Sequence, residues 1–223
     1  MRLVKYFNAL QGRTADWRKP LNRKGDIGTM SSEKVGSREA IREAVTLIQA
    51  SEAQKAAELL QTSLADDPKN AEMWSLHSQA LASLKDYKGA AKSIQRSISL
   101  DKKNAMNWQL KGTYLLRLGK IKEAVKAIDV ALRLKPTPLS YVLRGQAEYN
   151  RGMLDDAELY FQLALAEDAE SALANQMMGL TLFGKKKFAD AVPYLDKALS
   201  RVKSEHLEKV LDECRKKSEE ILG

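Results

Sequence analysis

The sequence predicts an all-α solenoid of about five helix-turn-helix units, closed by a C-terminal capping helix. Trp74 and Trp108 are 34 residues apart and stand in similar surroundings. A column of small residues repeats in the same register, at spacings of 33 and 34 residues. It consists of Ala56, Ala90, Ala124, Ala157 and Ala191. A fixed period of this length is typical of stacked helical repeats.

The period divides the chain into repeat units, and each unit predicts two helices. Within a unit, apolar residues recur at steps of three and four, which indicates amphipathic helices rather than strands. A break such as Gly119-Lys120 separates the two helices, and a polar or proline-containing end such as Lys135-Pro136 closes the unit. The predicted units are 37–70, 71–104, 105–137, 138–171 and 172–202.

A further amphipathic pattern follows the last unit. Apolar residues at three- and four-residue steps alternate with charges over residues 203–222 and include Leu207, Leu211 and Cys214. We interpret this segment as a capping helix that covers the apolar edge of the last unit, since terminal units need a polar outer face.

Residues 1–36 do not fit the repeat and form a basic head that we predict to be disordered. Residues 1–29 hold seven Lys and Arg against two Asp, a net charge of +5. Three hypotheses stay open for this segment. Either the natural protein begins at Met30 and residues 1–29 were assigned to it in error, or the segment is a basic tail that binds something acidic, or it is a targeting peptide.

Bulk composition narrows the class of protein. The chain has 223 residues, of which 44% are apolar and 30% charged, and its net charge is +8. Residues 30–223 carry only +3 of that charge, which weakens the case for a polyanion as partner. No apolar stretch approaches the roughly 18 residues of a membrane span. The single cysteine, Cys214, fits a reducing compartment, so we expect a cytoplasmic location.

The sequence offers no catalytic constellation. Its two histidines, His77 and His206, are far apart in the chain, and His206 is eight residues from Cys214. Eight helical residues span about 12 Å, too far for a nucleophile and its base. No phosphate-binding glycine loop and no metal-ligand motif occurs. We therefore predict no enzyme activity, no cofactor and no metal.

The residues at the repeated columns run Trp74…Ser78…Leu81…Tyr87…Ala90…Ile94…Ser97 and Trp108…Gly112…Leu115…Gly119…Ala124…Ala131…Pro136. These two runs resemble the tetratricopeptide signature. The resemblance covers residues 37–202, with departures at Ala40 and Asn175, which take the tryptophan position in the first and fifth units. It implies a right-handed superhelix and a protein-interaction role.

The resemblance also implies that the first helix of each unit lines a concave groove. At the lining positions we find an apolar row that an amphipathic helix or apolar peptide would fit. Two alternatives stay open: these side chains pack within the superhelix, or the protein's own head fills the groove. The predicted binding residues are Leu76, Gln79, Leu110, Thr113, Leu116, Leu143, Gln146, Tyr149, Met177, Leu180 and Phe183.

The groove lacks the cations with which chaperone-binding members of the family hold a C-terminal carboxylate. Apolar residues such as Leu139, Leu143 and Leu173 stand at those positions, so we expect no chaperone-tail binding. The other hypotheses are nucleic-acid binding through the basic head and Lys185-Lys186-Lys187, and self-association into a homo-oligomer. The lysine run falls in a predicted turn, which argues against nucleic acid.

Overall fold

The computed structural model describes residues 32–222, and every regular element in that range is an α-helix. We number the helices α1 to α11 in chain order. Their bounds are Ser32–Gln49, Ala53–Asp66, Ala71–Ser83, Tyr87–Leu100, Ala105–Arg117, Ile121–Leu134, Pro138–Asn150, Leu154–Glu167, Ala172–Gly184, Phe188–Leu199 and Glu205–Leu222.

The helices pack as a linear stack of pairs. The most extensive contacts join α1 to α2, α3 to α4, α5 to α6, α7 to α8 and α9 to α10, and each second helix also packs on the first helix of the next pair. The last helix, α11, packs on α10 and α9. This arrangement confirms the predicted all-α helical-repeat solenoid.

Each end of the stack is formed by one helix, α1 at the N-terminal end and α11 at the C-terminal end. Helix α1 begins at Ser32, five residues before the predicted start of the first unit at residue 37. The three hypotheses for the basic head concern a segment of which residues 1–31 lie outside the described range. Helix α11 starts at Glu205, and its buried residues Leu207, Val210, Leu211 and Cys214 cover the end of the stack.

Four first helices begin at a side chain that caps the helix. Asn70, Asn104, Thr137 and Ser171 stand just before α3, α5, α7 and α9, and each accepts a hydrogen bond from a backbone N–H two or three residues later. Such a cap satisfies a donor that the helix leaves free and is worth about 1 kcal/mol. The caps therefore define where these four pairs start.

Within a pair, the chain reverses through one residue with positive φ. From the second pair to the fifth, this residue is in turn Lys85, Gly119, Gly152 and Lys186, with φ between 60° and 77°. Glycine adopts this conformation readily, whereas a lysine meets steric strain there. The helix therefore ends at the same place in each pair, next to the breaks predicted from the sequence.

A column of glycines explains how closely the helices of a pair approach. A Cβ atom at Gly112 would lie 2.5 Å from Ile128, and one at Gly145 or Gly179 would lie 2.6 Å from Phe161 or Leu195. Each neighbour belongs to the second helix of the same pair. Larger residues would separate the two helices, since the interaxial distance depends on the side chains at the contact.

The apolar core runs along the stack as a series of clusters instead of forming one centre. Ala56, Ala90, Ala124, Ala157 and Ala191, the alanine column of the sequence, are all fully buried. None of the helices between residues 32 and 222 has the length and apolar character needed to cross a membrane.

Candidate functional site

The first helices form the inner face of the stack. Contacts join the first helices α1 to α3, α5 to α7 and α7 to α9, whereas no contact of comparable extent joins two second helices in residues 32–222. The first helices are therefore closer to one another than the second helices are. A stack with this spacing curves, with its first helices on the concave side.

Three neighbouring first helices each present a large apolar side chain to solvent at their second residue. Met106 of α5 is 58% exposed, Leu139 of α7 is 44% exposed and Leu173 of α9 is 43% exposed. Glu72 takes the same place in α3. We call Met106, Leu139 and Leu173 the inner apolar row. All three are lining positions by the family resemblance, although the eleven predicted binding residues do not include them.

Burial corrects part of the predicted binding surface. Leu143 and Met177 were expected to face solvent in one row with Leu76 and Leu110, but both are buried, as is Leu116. Leu143 and Leu116 share an apolar cluster, and Met177 packs in the C-terminal cluster. The physical reason is that neighbouring first helices approach closely at this level, so these side chains pack between helices.

The other predicted apolar residues are half-buried. Leu76 and Leu110 each pack at the edge of a core cluster and keep part of their surface open. Tyr149, Leu180 and Phe183 do the same beside the C-terminal cluster. Each keeps part of its surface open, so these residues remain candidates for contact with a ligand.

Some polar side chains of the inner face are hydrogen-bonded within the protein, and others are available to bind a ligand. The Oε1 atom of Gln109 accepts hydrogen bonds from Ser140 Oγ at 2.9 Å and Thr137 Oγ1 at 3.1 Å, which ties α5 to α7. Thr113 Oγ1 donates to the Gln109 carbonyl at 3.0 Å. The half-buried Gln146 amide has no hydrogen bond within the described residues, so it can serve both a donor and an acceptor of a ligand. Gln79 reaches only a carbonyl of its own helix, at 3.5 Å.

The two histidines and the cysteine occupy separate environments. Nδ1 of His77 lies 3.0 Å from the Oγ atom of the buried Ser93, and burial lowers the pKa of His77. No hydrogen bond joins this imidazole to an orienting carboxylate within residues 32–222. His206 is exposed, whereas Cys214 is buried, and burial raises the pKa of its thiol and so disfavours the reactive thiolate. The described residues contain no cluster of His, Cys, Asp and Glu that could hold a metal ion.

The lysine run at the turn between α9 and α10 is largely paired with acids. Lys185 Nζ forms ion pairs with Asp155 and Glu158, and Lys187 Nζ lies 3.8 Å from Glu158. Lys186 is the positive-φ residue of the turn. These contacts use charge that a phosphate-binding site would need, so the run is a weaker candidate for nucleic acid than its sequence suggests.

Antiparallel helix pairs in a stack, with a small residue at each crossing, define an α-helical repeat solenoid. Residues 46–131 match the family model described as "Anaphase-promoting complex, cyclosome, subunit 3". Residues 110–172 match the model described as "Tetratricopeptide repeat". The chain is a tetratricopeptide repeat protein, as its sequence columns predicted.

Solved structures share this fold at low sequence identity. PilW, a type IV pilus biogenesis factor, is 20% identical with a TM-score of 0.74, over 85% of this chain and 87% of its own. The pilF protein of Pseudomonas aeruginosa is 17% identical with a TM-score of 0.71, over 85% and 90%. YrrB, described as a tetratricopeptide repeat protein with an unusual peptide-binding site, is 22% identical with a TM-score of 0.60, over 79% and 95%. No curated protein sequence matches the chain.

Proposed function

We propose that this protein is a non-enzymatic adaptor that holds a peptide or an amphipathic helix of another protein on its inner face. The observation that carries the proposal is the inner apolar row, Met106, Leu139 and Leu173, exposed at the same place in three neighbouring helices. Exposed apolar side chains arranged in a row usually mark a contact site. The tetratricopeptide repeat fold supports a protein-interaction scaffold in general terms.

The side chains of the inner face would contribute to ligand binding according to how exposed they are. The exposed row would make the first contacts, and the half-buried Tyr149, Leu180 and Phe183 would extend them. The buried Leu116, Leu143 and Met177 would then act as a rigid floor and not as direct contacts. An amphipathic helix suits such a surface because it presents apolar side chains at steps of three, four and seven residues.

Charge favours an apolar ligand over an acidic tail. Leu139, Leu143, Leu173 and Met177 stand where a carboxylate-binding groove needs lysine, arginine or asparagine. The Gln146 amide can satisfy one backbone donor and one backbone acceptor of a bound segment. The absence of chaperone-tail binding is therefore part of the proposal. A cytoplasmic location is also part of it, because Cys214 is a free thiol.

Affinity capture from source-cell lysate tests this function. The bait is the full chain, the test variant carries Met106→Glu, Leu139→Glu and Leu173→Glu, and the control carries Leu84→Glu, Met153→Glu and Val202→Glu. The control residues are as exposed as the row but lie in turns outside it. We expect a protein that binds the wild type and the control and whose recovery falls at least about a hundredfold with the test variant.

Other recoveries would point to the other hypotheses. Nucleic acid bound equally by all three baits and released by salt would favour nucleic-acid binding. Recovery of the chain alone, with a mass in solution that is a multiple of the monomer, would favour self-association. A partner recovered equally by the test variant and the control would place binding away from the inner apolar row.

A further inference from the structure

Two second helices, α4 and α6, carry matching stripes of residues on their outer sides. Residues four positions apart lie along one side of a helix, and here each position of one stripe is 34 residues from its counterpart. We call the two sets the outer stripes. The outer stripe of α4 is Lys88, Lys92, Arg96 and Leu100, and that of α6 is Lys122, Lys126, Val130 and Leu134.

The cations of the outer stripes are exposed and unpaired. All five Lys and Arg side chains face solvent, opposite buried residues such as Ala90, Ile94 and Ile128. Among the described residues, none of the five forms an ion pair, and the nearby Glu123 lies 3.8 Å from Lys120. These charges are therefore free for an external anion.

The charge is concentrated in this part of the solenoid. Residues 85–135 hold 13 Lys and Arg against 4 Asp and Glu, a net charge of +9, whereas the remainder of 30–223 holds 17 against 23, a net of −6. At the corresponding positions α2 has Glu58 and Asp66, and α8 has Asp155 and Glu167. Like charges on one face repel each other, so solubility alone does not account for this segregation.

The surroundings of the outer stripes favour a bilayer surface over other polyanions. The stripes lie on second helices, on the convex side and away from the inner face. The large exposed apolar side chains of the described residues are Leu, Met and Val only, so aromatic platforms for stacking bases are missing from them. Leu100 and Leu134 are 43% and 42% exposed at the ends of the stripes, next to Lys102 and Lys135.

We propose that the outer face of α4 and α6 docks on the surface of an anionic lipid bilayer. The lysines would lie among the lipid phosphates, where each cation strengthens partitioning by about fivefold. Leu100 and Leu134 would enter the boundary between headgroups and acyl chains, as apolar residues of peripheral proteins do. This face is separate from the inner apolar row, so the two proposals stand or fall independently.

Vesicle sedimentation of the full chain tests the proposal. The vesicles are phosphatidylcholine alone and an equal mixture of phosphatidylcholine and phosphatidylglycerol. The test variant carries Lys88→Glu, Lys92→Glu, Lys122→Glu and Lys126→Glu. The control carries Arg42→Glu, Lys69→Glu, Lys203→Glu and Lys216→Glu, which are exposed positions elsewhere and give the same net charge. Circular dichroism verifies that both variants are helical.

We expect the wild type and the control to sediment with the anionic vesicles only, and the test variant to partition at least about a hundredfold more weakly. Leu100→Ser with Leu134→Ser should also weaken binding, whereas Leu84→Ser with Met153→Ser should not. Equal binding by the wild type and both charge variants would overturn the proposal, because all three retain the basic head. So would an absence of vesicle binding, or lysine-dependent binding of a DNA duplex in its place.

Discussion

The Nδ2 atom of Asn175 donates a hydrogen bond to the carbonyl oxygen of Ala169 at 3.1 Å and ties the start of α9 to the turn before it. Trp74 and Trp108 stand at the same place in their own helices. Each donates its indole N–H to the carbonyl oxygen six residues earlier, at 2.9 Å. Asn175 departs from the repeat pattern in side-chain type but keeps the hydrogen bond that the tryptophans make.

Replacing Asn175 with leucine should destabilise the fold. The side chain is buried, so Asn175→Leu removes its hydrogen bonds to the carbonyl oxygens of Ala169 and Ser171 and supplies no other donor for them. We expect the free energy of unfolding in urea to fall by about 1–3 kcal/mol. Asn150→Leu, at an exposed position, should change it by less than about 0.5 kcal/mol. Equal effects of the two substitutions would contradict this role.

Replacing an alanine of the buried column with a larger residue should destabilise the fold. Ala124 is fully buried where α6 crosses its neighbours, so Ala124→Leu would overpack the crossing and cost about 1–3 kcal/mol. Ala166→Leu makes the same change on the exposed side of α8 and serves as control. Thermal unfolding of the two variants checks the expectation. An unchanged midpoint in Ala124→Leu would contradict the register of the repeat.

Much of the fold was predictable because close helix packing leaves a periodic record. A small residue must recur wherever two helices cross, which is why the columns through Ala124 and Gly145 reveal the repeat. Burial of Leu143 and Met177 was not predictable in this way. Periodicity shows which side of a helix is apolar, but the distance to the next pair decides whether that side is covered.

The basic outer stripes were not predictable from the net charge. The net charge of residues 30–223 hides the basic outer stripes, because acids elsewhere in the stack cancel them. Only the register of the repeat shows that Lys88 and Lys92 of α4 correspond to Lys122 and Lys126 of α6. The pairing of Lys185 with Asp155 and Glu158 likewise depends on contact between neighbouring pairs.

Glu148 is a buried acid at a position where leucine stands in the neighbouring first helices. Leu115 and Leu182 occupy that place and are buried. Glu148 forms ion pairs with Arg144 and, at 2.8 Å, with Arg151. Arg144 also bonds Asp129 at 2.9 Å and stacks on Tyr160. The network therefore links α6, α7 and α8.

Replacing Glu148 alone should lower the free energy of unfolding more than replacing Glu148 and Arg144 together. Glu148→Leu alone leaves the largely buried Arg144 with Asp129 as its remaining carboxylate in the network, which we expect to cost about 1–3 kcal/mol. Combining Glu148→Leu with Arg144→Met also removes the cation that has lost one of its two carboxylate partners in the network. Urea unfolding should find the double variant more stable than Glu148→Leu. A double variant that is less stable would show that the ion pair itself stabilises the fold.

His77 should make stability depend on pH. Burial lowers its pKa below the ordinary value of 6.5, so the folded state binds fewer protons than the unfolded state near that pH. The contribution of the neutral imidazole is present above the unfolded pKa and is lost as pH falls through the folded pKa. The stability difference between the wild type and His77→Gln, measured in urea, should shift against the wild type on acidification. A difference that stays constant below about pH 7 would contradict this linkage.

The dissociation constant of a captured partner's minimal binding segment is the most direct test of the inner face. It would be measured by calorimetry for the wild type, for Met106→Glu/Leu139→Glu/Leu173→Glu, and for Leu84→Glu/Met153→Glu/Val202→Glu. We expect the first variant to bind at least about a hundredfold more weakly and the second to bind like the wild type. Unchanged affinity in the first variant, with its helicity intact, would contradict the claim that the inner apolar row holds the partner.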